Sequence, residues 1–249
     1  MVTTYFVPVE DKSLGAPRLV DPKTQSTITD RQANHVHRLF RTQVLGPSFA
    51  CALGKNALAN WRYRVGVYQN FDAGVGASVC EDLWSFVADQ RALSANPDDF
   101  STFITIFVTL DIPRDENEFE SRLWTILQEI HDKDAHVYSW DPQTASDPDL
   151  PDFSFSVGEQ SFFVVGQHAH SSRFSRRFPY PALAFNAHHQ FERLRATGKF
   201  QKLQDVIRKQ DIAIQGSINP SLTNYGADSE AKQYSGRLVP LGWKCPFQP

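Results

Sequence analysis

A mixed α/β (α+β) layer of about five strands packed with helices, folded as a single domain, is what this sequence predicts, on three observations. Phe103-Ile104-Thr105-Ile106-Phe107-Val108-Thr109-Leu110 is β-branched or aromatic almost throughout, as a central strand covered on both faces must be. Phe119, Leu123, Ile126, Leu127 and Ile130 recur at helical spacing and predict an amphipathic helix from about Asn117 to Asp134. Phe153–Val157 and Ser161–Val165 flank Gly158-Glu159-Gln160, the pattern of a β-hairpin.

The remaining elements follow in order. Residues 1–27 hold scattered Pro and Gly without periodicity and read as an N-terminal arm over the surface of a domain spanning 28–249. Thr29 or Asp30 can cap a helix running to about Val44, with Val36, Leu39 and Phe40 on one stripe, and Gly46-Pro47 stops it. A short helix after Ser48 carries Cys51 in its first turn. Tyr63, Val65 and Val67 alternate with Arg62, Arg64 and Gly66, the period of a half-buried strand. Ser78-Val79-Cys80-Glu81 reads as a capping box opening a helix that ends near Leu93. Residues 141–152 form the clearest surface loop. Leu183-Ala184-Phe185 is a further strand, leading into a polar helix from about His189 to Arg195, and another helix runs from Gly198 to about Ile214.

Composition narrows the function classes. With 25 basic and 28 acidic residues the net charge is −3, so no bulk field draws nucleic acid or an anionic membrane. The start, Met1 to Pro8, lacks the basic and apolar regions of a secretory signal, and no window has the apolar length to cross a bilayer. Three cysteines, Cys51, Cys80 and Cys245, without CxxC spacing argue for a reducing cytoplasm rather than a disulfide framework or structural zinc site. The 19 Phe and 5 Trp suit enclosing a flat cofactor, although aromatic cores also pack on themselves.

Chemically interesting side chains crowd into two stretches. Gly166 to Phe178 follows an apolar strand and contains His168, His170, Arg173, Arg176 and Arg177. That set suits a metal or haem ligand beside an anion-binding patch, or else a solvated surface loop. Phe185 to Arg195 again ends a strand in a polar run, and a helix N-terminus would keep His188 neutral, as a ligand or proton acceptor must be; the alternative is an Asn186 N-cap with exposed histidines. Cys51, at a helix N-terminus with Lys55 one turn on, reads either as a stabilised thiolate, the haem ligand that favours O–O cleavage, or as a small buried hydrophobe. The tail from Gln215 has glycines at 216, 226 and 236 suggesting tight turns, and Glu230 and Asp228 in it could meet a guanidinium or amine. No GxGxxG, P-loop, HExxH or GxSxG is present, and the pairs His35/His37 and His168/His170 lack a third ligand at metal spacing.

VVGQHAHSSRFSRRF, ALAFNAHHQFERLR, IAIQGSINPSL, YGADSEAKQYSG and the terminal WKCPF, with FACALGKNAL and FESRLWTILQEIHDKD before them, resemble the YqcI/YcgG family in that order over nearly the whole chain from about residue 35. The family includes haem-dependent N-oxygenases acting on guanidine groups of arginine-like molecules. The resemblance therefore implies haem b, an external electron donor or peroxide, and oxygen insertion at a nitrogen of a small substrate. It makes His168 the first candidate axial ligand, with Arg173, Arg176 and Arg177 near the propionates. It makes His188 the second, as axial or distal residue, and Cys51 the third. Glu230, Asn219, Gln215 and Tyr234 are the candidate substrate contacts. Ala50 and Ala169 stand where the family pattern has proline, which bears on loop stiffness and hence substrate more than on cofactor. Two other readings stay open at this point: a haem-binding or sensing protein without catalysis, and a cofactor-free module for a small anion.

Overall fold

The computed structural model describes residues 4–11, 16–93, 100–220 and 226–249. Among them lie seven strands, β1 (Tyr5–Asp11), β2 (Ala16–Val20), β3 (Tyr63–Tyr68), β4 (Thr102–Phe107), β5 (Phe155–Val157), β6 (Gln160–Gln167) and β7 (Ala182–Ala187). The helices are α1 (Arg31–Leu45), α2 (Ala52–Ala59), α3 (Gly76–Leu93), α4 (Glu116–Asp134), α5 (His188–Ala196), α6 (Lys199–Gln215) and the single turn α7 (Ala231–Tyr234), with a 3₁₀ turn at Phe174–Arg176. One mixed sheet runs in the order β2-β1-β3-β4-β7-β6-β5, with β3 and β4 parallel and every other neighbouring pair antiparallel.

The sheet is wider than five strands because Tyr5–Asp11 and Ala16–Val20, read as part of a surface arm, are strands. Tyr5 and Phe6 pair with β3, and β2 pairs along β1, adding two strands at one edge. The prolines that masked this, Pro8 and Pro17, sit in the outer hairpin, where a missing N–H is tolerated. β4 is buried at every position, as its composition predicted. Phe103 and Phe107 enter the core under α3 and α4, while Ile104 and Ile106 enter the core under α1 and α2. The hairpin is also as expected: Gly158 and Glu159 both have positive φ, 60° and 62°, the left-handed pair a two-residue turn needs.

Two start signals had different fates. Asp30 caps α1 by accepting from the N–H groups of Gln32 and Ala33. Ser78, by contrast, lies inside α3, which begins at Gly76. The donors there are met by Glu129 of α4, whose carboxylate accepts from Gly74 N (2.6 Å) and Gly76 N (2.9 Å). A tertiary cap has displaced the local box. No helix among the described residues is long and apolar enough to cross a membrane.

Candidate functional site

A cavity of about 240 Å³ opens on one face of the sheet, beside the β6–β7 pair. Strand parity decides what enters it. Phe163 and Val165 of β6 and Asn186 of β7 line it, with Phe163 opposite Asn186 in register. Phe162, Val164, Phe185 and Ala187 point the other way, into the core beneath α3 and α4. Opposite the strands lies one face of α6: Phe200, Leu203, Gln204, Ile207, Arg208 and Asp211 recur at helical spacing and close the cavity. The loop before α2 adds Phe49 and Cys51.

The structure brings Cys51, Arg173, Arg176, His188, Asn219 and Glu230 together around this cavity, although they come from distant parts of the chain. It excludes His168. That ring follows β6 with the parity of Val164 and Gly166, is 0% exposed, and stacks on Phe119 with centroids 4.2 Å apart. Neither ring nitrogen has a hydrogen-bond partner among the described residues, and burial holds its pKa down, to about 4. The first candidate for axial ligand thus lies on the face of the sheet opposite the cavity. Arg177 is exposed, its Nε donating to Ser171 O (2.7 Å) and its guanidinium lying over the Phe174 ring. Tyr234 is buried behind Glu230 rather than lining the space. His35 is exposed while His37 is buried against the Tyr63 hydroxyl (2.8 Å), because i,i+2 on a helix splays side chains apart. Among the described residues no three His, Cys, Asp or Glu side chains converge as a metal cage.

The His168 finding carries a stability prediction. An unfolded histidine takes up its proton near its ordinary value of 6.5, whereas folded His168 does so near 4. Between those values the unfolded chain binds more protons, so His168 costs stability as the pH falls through that window. We expect His168→Phe, which removes two orphaned buried nitrogens and keeps the stack, to denature at higher denaturant concentration than the parent at pH 5. Equal midpoints would mean that the ring is solvated or paired.

The remaining guanidiniums differ in what they have left to offer. Arg173 forms a buried pair with Asp211 (Nη2–Oδ2 2.5 Å) and also donates to Ser217 O and Oγ. Arg176, 8% exposed, spends Nη1 on the carbonyls of Gly166 (3.3 Å) and Tyr234 (3.1 Å), and its Nε and Nη2 meet no acceptor among the described residues. Gly236, at φ 84°, is held against it so closely that a Cβ there would lie 2.5 Å from Arg176 Cδ. The glycines at 216 and 226 likewise turn with positive φ, while Tyr225 lies outside the described residues. Burial lowers the pKa of Arg176 to about 10, which leaves a charged guanidinium in the cavity wall at neutral pH.

Three further groups set the chemistry. His188 opens α5, with Nε2 3.2 Å from Glu192 Oε1, and burial lowers its pKa against the opposing pull of Glu192, which favours the neutral imidazole at neutral pH. Asn186 is not an N-cap; it stays on β7, its side-chain amide donating to Phe163 O and Ala184 O. Cys51 caps α2, its Sγ accepting from Gly54 N at 3.5 Å, yet burial pushes the thiol up and outweighs the helix N-terminus and Lys55. It is a thiol, not the thiolate that its position suggested. Glu230, 5% exposed, is pushed up to about 8 by burial. Asn219 is tied by its N–H to Asp211 Oδ2 (2.8 Å). Sequence reasoning missed Asp211, Arg195, Gln233 and the α6 face, although the 200/203/207/211 spacing was there to be read.

Fold and cavity together define an α/β domain whose single sheet carries, on one face, a phenylalanine-walled cleft floored with buried polar groups. The chain belongs to the YqcI/YcgG family, whose model matches residues 40–248. It is similar to the uncharacterised protein YqcI of Bacillus subtilis (strain 168), 32% identical over 122 residues, a match covering 47% of each chain. The matched segment thus spans about half of that relative's length. No solved structure matches this chain.

Proposed function

We propose that this protein is a haem-dependent oxidoreductase that N-oxygenates a small guanidine- or amine-bearing substrate in a reducing cytoplasm, using either dioxygen with electrons from an external donor or peroxide as the oxidant. The observation that carries the reading is the convergence on one cavity of a neutral imidazole, five phenylalanines (Phe49, Phe100, Phe163, Phe191 and Phe200) and a buried guanidinium with unspent N–H groups. That donor set fits haem b in kind. His188 would serve as the imidazole ligand, Arg176 would meet a propionate, and the phenyl faces would sandwich the macrocycle. Haem, when bound, supplies the oxidative chemistry; the chain's own groups bind and orient the substrate. Glu230 and Asn219 are the substrate contacts, both buried in the cavity wall. Cys51, a protonated thiol, is then a wall residue rather than a ligand. The cytoplasmic placement rests on three free thiols, Cys51, Cys80 and Cys245.

At about 240 Å³ the cavity is smaller than the roughly 300–1,000 Å³ of typical ligand sites, so a porphyrin requires α6 to move outward. α6 is suited to that, because Asp211 is its one fully buried residue. Titration of the purified protein with haemin should give a saturable Soret band, and the reduced carbon monoxide complex should absorb where imidazole-ligated haem does. A colourless protein that takes up no haemin would overturn the proposal and favour the small-anion module.

A further inference from the structure

The pairing behind the cavity wall has a feature that substrate contact does not require. Glu230 and Tyr234 lie four residues apart across the α7 turn and meet with Tyr234 Oη 2.7 Å from Glu230 Oε1. The hydroxyl oxygen also accepts from Phe155 N (3.1 Å) and sits 3.2 Å from Phe162 O. One hydroxyl proton thus has two acceptors in reach, the Phe162 carbonyl and the Glu230 carboxyl. The tyrosine ring is fully buried and stacked on Trp124 (centroids 5.7 Å), so only the proton can turn, not the ring. Glu230 itself lines the cavity.

We propose that Glu230 and Tyr234 form a proton store opening into the cavity: the Glu230 carboxyl rests neutral and hands its proton to an oxygen or nitrogen lone pair of the bound small molecule, while the Tyr234 hydroxyl turns between two acceptors to match the charge. In that step the Glu230 O–H bond breaks and a new O–H or N–H bond forms on the bound molecule. The electron pair stays on the carboxylate, and the Tyr234 proton swings from the Phe162 carbonyl to Oε1. Water at the cavity mouth restores the proton. The surrounding charges agree with a neutral resting state. Arg195, the cation that favours ionisation, is already paired with Glu192, and Asp228 is neutralised by Lys232 (2.7 and 2.9 Å). His188, on the same cavity, is uncharged. Burial then dominates and keeps the acid protonated through neutral pH.

The store needs the cavity but not haem, so it is tested on the full-length protein without haemin, by infrared titration of the protonated-carboxyl C=O band. We expect a band present at neutral pH that shifts in D₂O, disappears with a midpoint of about 8, and is missing from Glu230→Gln. Tyr234→Phe, which takes a donor from the ionised form, should move the midpoint upward, and it serves as the test should Glu230→Gln fail to fold. A parent spectrum indistinguishable from Glu230→Gln at neutral pH, a band that ignores D₂O, or a Tyr234→Phe midpoint unchanged or lowered would each overturn the proposal. Failure to bind haemin would leave it standing.

Discussion

Replacing His188 with alanine should abolish saturable haemin binding and reduce any N-oxygenation to background. The loss should exceed the roughly 10–100-fold typical of removing a residue that merely supports a ligand. The expectation rests on His188 being the imidazole that lines the cavity and on burial holding it neutral, so that it competes for iron without first shedding a proton. The comparison that gives the experiment its force is with the other two candidates. Cys51→Ser and His168→Phe should keep the Soret band, because the thiol is held protonated and the His168 ring is sealed beneath Phe119 on the opposite face of the sheet. Haemin spectra and affinity for the three variants, with far-ultraviolet circular dichroism to confirm folding, decide the matter. A band that survives His188→Ala and vanishes in His168→Phe would reverse the assignment.

Asp211→Ala should cost about 3–5 kcal/mol of folding stability, read as the shift in a urea or guanidinium midpoint. Asp211 and Arg173 are 4% and 7% exposed, and removing the carboxylate strands a buried guanidinium without its counter-charge. The same oxygen, Oδ2, accepts from Asn219 N, so the substitution also unpins the start of the tail that carries Glu230. Because Asp211 is the buried anchor of α6, its loss should loosen the helix that closes the cavity, and amide exchange along Lys199–Gln215 should quicken more than along α4. Asp211→Asn keeps an acceptor and should cost less. A loss below 1 kcal/mol for the alanine variant would show that water already shares the pair.

Much of the layer was legible in local pattern. The strand at Phe103, the hairpin turn at Gly158-Glu159 and the helix around Phe119–Ile130 are each specified by period, side-chain shape or turn chemistry within a few residues. The outer hairpin was not, because its prolines break the alternation that betrays a strand, and the edge position that tolerates them is known only after folding. The Ser78 box failed for a related reason: Glu129, more than 50 residues away, accepts from the N–H groups of Gly74 and Gly76, so the helix starts before Ser78. Arg173, Arg176, His188, Asn219 and Glu230, each singled out from the sequence or its family resemblance, line one cavity. Proximity in sequence could not separate Arg176, with N–H groups to spare, from Arg173, whose charge is met by a residue 38 positions on.

What the chain determines by itself is its elements, its family and the inventory of reactive side chains, all of which reside in short runs of residues. Which of those side chains share one space is decided only by the sheet. The side chains of a strand alternate between two faces, and here both faces are buried, so the difference between His168 and the cavity is a single step in register. Helix α6 and the turn of α7, brought across that face by contacts distant in sequence, then decide how deeply Glu230 is buried and how Arg173 and Arg176 are paired, because burial and pairing are properties of the packed molecule.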